Sequence, residues 1–568
     1  MLRMFDASRK RETRSLNGFW KFSTDPNDHG TDEEWHSGLP VYQTVSVPSM
    51  WNNESGLLTY EGAAWYQKEF YTEGGTLRFC FGGVMTEAAV WLDDTFLGDH
   101  YGGFCQFELI ATDVAPGTHR LTVRVENSFY DVSVPQKKVD WYHYGGIHRD
   151  VSVERLQGVC VLYERLEYTL NDARDAIRGQ FVLSLYNAQA TACTSRLCIR
   201  LGEQTVYEGT VTLEGGIETE WRSPAFDMQN IRLWDPNDPQ LYDISIETDT
   251  DGLCDRTGFR LVEVKDERVC INGRPVELRG VNRHEEHPDW GFAFPPKLMK
   301  KDLDIIEDMG CNTVRGSHYP NSQVFVDMLD DRGLLFWSEI PIWGCGFSQE
   351  ALGDPVVLER GLEMHREMLK YYYNHPSIII WGMHNEILTN TPEGVEMSRQ
   401  YYGFLKEQGG NRLVTYASHK PLEDNCFDYC DLMCLNMYFG WYSGTVESWD
   451  RFMEQFRDLR EALGMTHKPV IISEFGAAAL YGQHTFDDIP WTEEYQERLI
   501  AHCLELFHED PMVGGFYVWQ FSDIRTCAQM GLNRARGFNN KGLVNEYRKP
   551  KSAYFAVKRL YHDFAKKG

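Results

Sequence analysis

No uncharged apolar stretch in the 568 residues reaches the roughly 20 needed to cross a bilayer. The first dozen residues hold no apolar segment and no small-residue cleavage motif, so no secretory leader is read there. Cysteine is present but unorganised: 14 thiols, scattered without paired spacing, predict no disulfide framework and a reducing cytoplasm as the expected location. Metal-ligand spacing is lacking as well. Cys426, Cys430 and Cys434 stand four apart, unlike the close pairs of a zinc site, and His284 and His287 stand three apart where a helix-borne metal pair needs four. No metal and no cofactor are therefore expected. Positive charge is scarce: 56 Lys and Arg against 84 Asp and Glu leave a formal net charge of -28. Such a chain repels phosphate backbones and anionic lipid, which argues against nucleic acid and membrane as partners. If its substrate is itself an acid, the binding site must supply its own cation.

Aromatic residues are plentiful, at 13% of the chain with 16 Trp and 29 Tyr. Their flat apolar faces suit sugar rings, though large cores use them equally. Helical periodicity is nearly absent from the first 260 residues. Short segments such as Thr76–Phe81 and Thr86–Leu92 alternate or run apolar between Gly and Asp turns, the pattern of antiparallel sandwiches. A soft boundary near Gly158 divides them, giving a first sandwich over 1–158 and a second, immunoglobulin-like in length, over 159–260. From about residue 261 the pattern changes. Short apolar strands alternate with amphipathic helices through to 568, in eight units of which the helix after Leu413–Ala417 is weakest. Continuous apolar strands in a βα series mean a parallel sheet buried on both faces, and eight over about 300 residues mean a (β/α)8 TIM barrel.

In such a barrel, chemistry sits at the C-terminal strand ends. The fourth strand runs Ile378-Ile-Ile-Trp-Gly-Met-His-Asn385-Glu386 and the seventh Val470-Ile-Ile-Ser-Glu474. A single strand-end glutamate reads as a solvated loop residue. Two, on strands across the ring from each other, read as the carboxyl pair of glycoside hydrolysis, one donating a proton to the leaving oxygen while the other attacks the anomeric carbon.

The pair Asn385-Glu386 with Ser473-Glu474-Phe-Gly476 resembles glycoside hydrolase family 2, and the resemblance extends over essentially the whole chain. It implies a jelly-roll sugar-binding-like domain, an immunoglobulin-like sandwich and the barrel, and a retaining mechanism with Glu386 as acid/base, Glu474 as nucleophile and Asn385 on the sugar 2-hydroxyl. Within the family, several segments look like those of β-glucuronidases. Tyr144-Gly-Gly-Ile-His-Arg149 resembles a motif preceding the second domain, and Asp140 just upstream matches an Asp that reaches the sugar. Arg283-His284-Glu285 puts His284 in the pocket, Leu435–Tyr442 supplies Tyr438 and Tyr442, and Trp519 would lie under the sugar. The Asn539-Asn-Lys541 segment matches a pair that reads the C6 carboxylate of a uronic acid, a cation beside a neutral donor. An Arg shortly before it is also implied, and the spacing leaves Arg534 and Arg536 equally eligible. The segment after the third strand is short where some gut bacterial relatives carry a long lid. The expected substrates are β-D-glucuronides, small or oligosaccharide; a β-galacturonidase or β-galactosidase is the alternative, and a homo-oligomer, dimer or tetramer, is implied.

Overall fold

The computed structural model describes residues 3–5, 8–531 and 533–567. Between residues 12 and 156 two antiparallel sheets form a sandwich. One has four strands, ordered Glu12–Ser15, Val151–Leu156, Gly75–Phe81, Phe107–Val114; the other has six, including Ala63–Thr72, Gly117–Glu126 and Glu87–Leu92. Period-two patterning decides which face turns inward. In Glu87–Leu92, Ala88, Val90 and Leu92 are buried and stand opposite Val125, Val123 and Leu121 in register. A second sandwich pairs Val159–Leu170, Ala176–Asn187 and Glu218–Arg222 with a sheet containing Cys193–Leu201 and Tyr242–Thr248, over a core that includes Phe181, Leu183, Ile199 and Ile246.

The remainder is a closed ring of eight parallel strands. They are β1 (Leu278–Asn282), β2 (Thr313–Gly316), β3 (Leu335–Glu339), β4 (Ile378–Asn385), β5 (Leu413–Ser418), β6 (Met433–Asn436), β7 (Val470–Phe475) and β8 (Val513–Val518), and β8 closes on β1. β4 and β7 are buried at every position, as strands covered on both faces must be. A small sheet of Val262–Lys265, Arg268–Ile271 and Arg274–Pro275 closes the bottom of the ring: Val262, Val269 and Ile271 pack with Leu335, Trp337, Ile379, Ile471 and Tyr517.

The outer helices begin where the sequence caps them. Asp354 accepts from the Val356 N–H ahead of Pro355, Thr391 from Gly394 ahead of Pro392, and Thr492 from Tyr495. The expected eight strand-helix units are reduced to seven: between β5 and β6 the described chain forms only a 3-10 turn, Phe427–Tyr429. The cause is Asp424. Its carboxylate accepts from the hydroxyls of Tyr416 at 2.8 Å and Thr389 at 2.7 Å and from the Cys426 N–H at 2.8 Å, so the segment is tied into a compact turn that cannot wind into a helix.

The first sandwich docks on the barrel mouth through the Tyr144–Arg149 segment. Tyr144 donates to Glu286 at 2.7 Å, and Arg149 pairs with Glu285 at 3.0 Å. The acidic pair between His284 and His287 is thus a docking surface. Gly145 is needed there, because a Cβ at that position would lie 1.9 Å from the Trp51 ring. The docked segment carries Asp140 and Trp141 over the open end of the barrel, where Asp140 meets Thr526 at 3.2 Å.

Candidate active site

Both strand-end glutamates stand at the mouth. Glu474, near the end of β7, is buried and held at both oxygens: Arg315 of β2 donates to Oε1 at 2.7 Å and the Tyr438 hydroxyl to Oε2 at 2.7 Å. Burial pushes its pKa above the ordinary value, with Arg315 opposing and the charge of Glu386 adding to the rise. Glu386 follows β4 directly, is half-buried, and accepts from Asn436 Nδ2 at 2.9 Å. Its backbone is left-handed, with φ 54°, a conformation that costs a non-glycine residue energy and recurs at functional positions.

Asn385 is oriented by its neighbours. Its side-chain oxygen accepts from Arg315 Nη2 at 2.7 Å and from Asn436 Nδ2 at 3.1 Å. Arginine can only donate, so the atom facing it is the oxygen, and the buried amide nitrogen has no protein partner among the described residues. That nitrogen remains available to a hydroxyl group.

The pocket wall is aromatic. Trp519, just past β8, stacks on His318 at 5.1 Å and meets His284 edge-on at 5.5 Å; Trp141 packs against both histidines at 5.6 and 5.7 Å. Burial holds both imidazoles well below their usual pKa.

The charged wall comes from the loop after β8. Arg534 forks onto Asp140, with Nη2 at 2.6 Å and Nε at 3.2 Å, and donates to the Tyr442 hydroxyl at 3.0 Å. Arg536 turns away to Glu546 at 2.8 Å, so the alternative left open by spacing falls to Arg534. Asn539 donates to Asp140 at 2.7 Å. Lys541, 1% exposed, donates to the Tyr442 hydroxyl at 2.5 Å, and the rings of Tyr442, Tyr438 and Trp441 lie 4.6, 5.4 and 5.9 Å from its nitrogen. Among the described residues it makes no ion pair. Burial, reinforced by Arg534, lowers its pKa from 10.5 to about 7. A buried cation without a carboxylate partner is costly unless an anionic ligand provides one.

The comparisons now have a geometry to meet. The model of the family 2 glycosyl hydrolase TIM barrel domain matches residues 262–566, and that of the family's sugar binding domain matches 13–156. The chain belongs to glycoside hydrolase family 2. It is a glycoside hydrolase. A β-glucuronidase of Paenibacillus borealis is 28% identical, with 96% of each chain covered. Among solved structures, a β-galacturonidase from Eisenbergiella tayi bound to galacturonate superposes with TM-score 0.92 at 32% identity, and a β-glucuronidase of Ruminococcus gnavus with TM-score 0.87 at 26%, each covering 99% of both chains.

In the hydrolase all ten residues singled out from sequence border one mouth: Glu386, Glu474, Asp140, His284, Asn385, Tyr438, Tyr442, Trp519, Asn539 and Lys541. Sequence reasoning passed over Arg315, His318, Glu339, Asn436 and Trp141. For Arg315, Glu339 and Asn436 the signal was available, since each is a charged or amide residue at the end of an apolar barrel strand. One other buried acid–histidine cluster, Asp327, Asp330 and His375, lies away from the mouth. There the Arg3 guanidinium forks onto Asp327 and His375 pairs with Asp330 at 2.5 Å, so the cluster holds its own cation.

Proposed function

We propose that the hydrolase releases β-D-glucuronic acid from the non-reducing end of β-D-glucuronides, with retention of configuration. The observation that carries this reading is Lys541: a buried lysine with no ion-pair partner among the described residues, at the mouth, in a chain of net charge -28. Its natural partner is the C6 carboxylate that separates a uronide from a neutral hexoside. A charge-assisted hydrogen bond of this kind contributes about 1.5 to 3 kcal/mol.

The chemistry follows from the two glutamates. Glu474, ionised through Arg315 and Tyr438, attacks the anomeric carbon while Glu386 protonates the glycosidic oxygen, and the aglycone leaves. Glu386, now a base, takes a proton from water, which displaces Glu474 and restores the β configuration. The Asn385 amide donates to the 2-hydroxyl, Trp519 underlies the ring, and Asn539 with Lys541 holds the carboxylate. The second reading, a β-galacturonidase, is favoured by the 32% identity to the Eisenbergiella tayi enzyme, and it differs in the orientation of one hydroxyl.

Chromogenic β-glucuronide, β-galacturonide, β-glucoside and β-galactoside, assayed side by side, separate these readings. Both uronides should exceed both neutral hexosides in kcat/KM, with the glucuronide ahead. A neutral hexoside as best substrate would overturn the uronide reading, while a faster galacturonide selects the second. NMR of early turnover should show the β anomer first; the α anomer would exclude retention.

A further inference from the structure

We propose that Glu339, at the end of β3, is a positioning residue for the reaction: it clamps the Arg315 guanidinium so that its remaining donors are aimed at the nucleophile and at the amide that meets the sugar. This rests on the roles proposed for Glu474 and Asn385.

The clamp is two-pronged. Arg315 Nε donates to Glu339 Oε2 at 3.1 Å and Nη2 to Oε1 at 3.0 Å, the parallel fork that fixes a guanidinium plane. In that plane Nη1 reaches Glu474 at 2.7 Å and Asn282 at 3.0 Å, and Nη2 reaches Asn385 at 2.7 Å. Arg315 and Glu339 are both 0% exposed, so these bonds are shielded from bulk solvent. Glu339 also anchors the opposite flank. Its Oε1 lies 2.6 Å from His318 Nδ1, and that ring, stacked on Trp519, turns Nε2 to 3.8 Å from Glu474 Oε1. One carboxyl therefore sets the two nitrogen-bearing groups that bracket the nucleophile oxygen. The neighbouring strand leaves room for it: at Gly382 of β4 a Cβ would stand 2.5 Å from Glu339 Cβ and 3.0 Å from its Oε2. Among the described residues the Glu339 carboxylate hydrogen-bonds only Arg315 and His318, so it acts on the chemistry at one remove.

A guanidinium freed from its clamp leaves Glu474 misaimed while the carboxylate-binding wall of Lys541 is untouched. The expected signature is a loss in kcat without a loss in KM. The test uses the full-length enzyme and whichever aryl β-glycoside the wild type cleaves fastest, so failure of the uronide reading appears as a different best substrate and is not confused with failure of this one. Glu339→Gln keeps the shape and removes one acceptor and the charge. It should lower kcat by about a hundredfold, the scale of an ångström-level misplacement, with KM within about threefold of wild type. In an Arg315→Lys background, where no fork can form, the same substitution should cost less than about threefold, because the two residues act as one unit. A raised KM with unchanged kcat, an unchanged kcat, or the full cost persisting in the Arg315→Lys background overturns the proposal. Should Glu339→Gln fail to fold, Glu339→Asp keeps the charge but withdraws it from the fork by one methylene, and the same loss in kcat at constant KM is required of it.

Discussion

At the scale of single residues, Lys541 carries the sharpest consequences. Lys541→Ala should cost the uronide about tenfold to a hundredfold in kcat/KM, the equivalent of one charged hydrogen bond, and cost the matched neutral hexoside little. The pH dependence has a definite sign. Burial lowers the Lys541 pKa to about 7, and only the charged form, present below that value, pairs with a carboxylate. The ratio of uronide to hexoside kcat/KM should therefore fall as pH rises through about 7. Titration of Glu386 and Glu474 affects both substrates and cancels in the ratio. A ratio flat from pH 6 to 9 would show that Lys541 keeps one charge state over that range or does not meet the C6 group. Chemical rescue tests the two glutamates separately. Glu386→Ala should be rescued by azide to a β-glycosyl azide, because the intermediate on Glu474 survives, whereas Glu474→Ala loses the covalent step; an α product from Glu386→Ala would reverse the assignment. The glutamates were legible in sequence because each stands where apolar regularity stops, whereas Lys541 was legible only through the resemblance of its Asn-x-Lys segment. The choice between Arg534 and Arg536 was not: it depends on a left-handed turn at Arg536, φ 61°, which sends one side chain inward and the other out.

At the scale of elements, eight strands were legible because a strand buried on both faces has to be apolar throughout. The missing fifth helix was not, because its absence comes from side-chain bonds to Asp424 that have no periodic signature. Arg315 and Glu339 end β2 and β3 as Glu386 and Glu474 end β4 and β7, so the rule that found one pair would have found the other had it been applied to every strand. The turn at the end of β4 makes its own prediction. Glu386 holds a left-handed backbone, which asparagine tolerates better than alanine. Glu386→Asn and Glu386→Ala both lose the carboxylate, yet the former should melt about 2 °C higher, corresponding to about 1 kcal/mol. Equal melting temperatures would mean that the turn relaxes once the carboxylate is gone.

At the scale of the whole molecule, the surface and the pocket oppose each other. If the substrate is the proposed uronide, a formal charge of -28 repels it at long range and Lys541 attracts it only at contact. Raising ionic strength from about 10 to about 100 mM shortens the screening length from roughly 30 to roughly 10 Å, and buried pairs are screened less than surface fields. kcat/KM on a uronide should rise over that interval relative to a neutral hexoside, and a fall would show that the mouth itself presents a positive potential. The ring of strands alone does not make the pocket. Asp140 and Trp141 arrive from the first sandwich and rest on Arg534, Asn539 and His284 of the barrel. Catalysis is thereby made conditional on assembly: a chain whose barrel has formed but whose first sandwich has not docked holds both glutamates and lacks a wall of the cavity between them. Turnover is then a readout of docking, and in rising denaturant it should vanish before the helical signal of the barrel does.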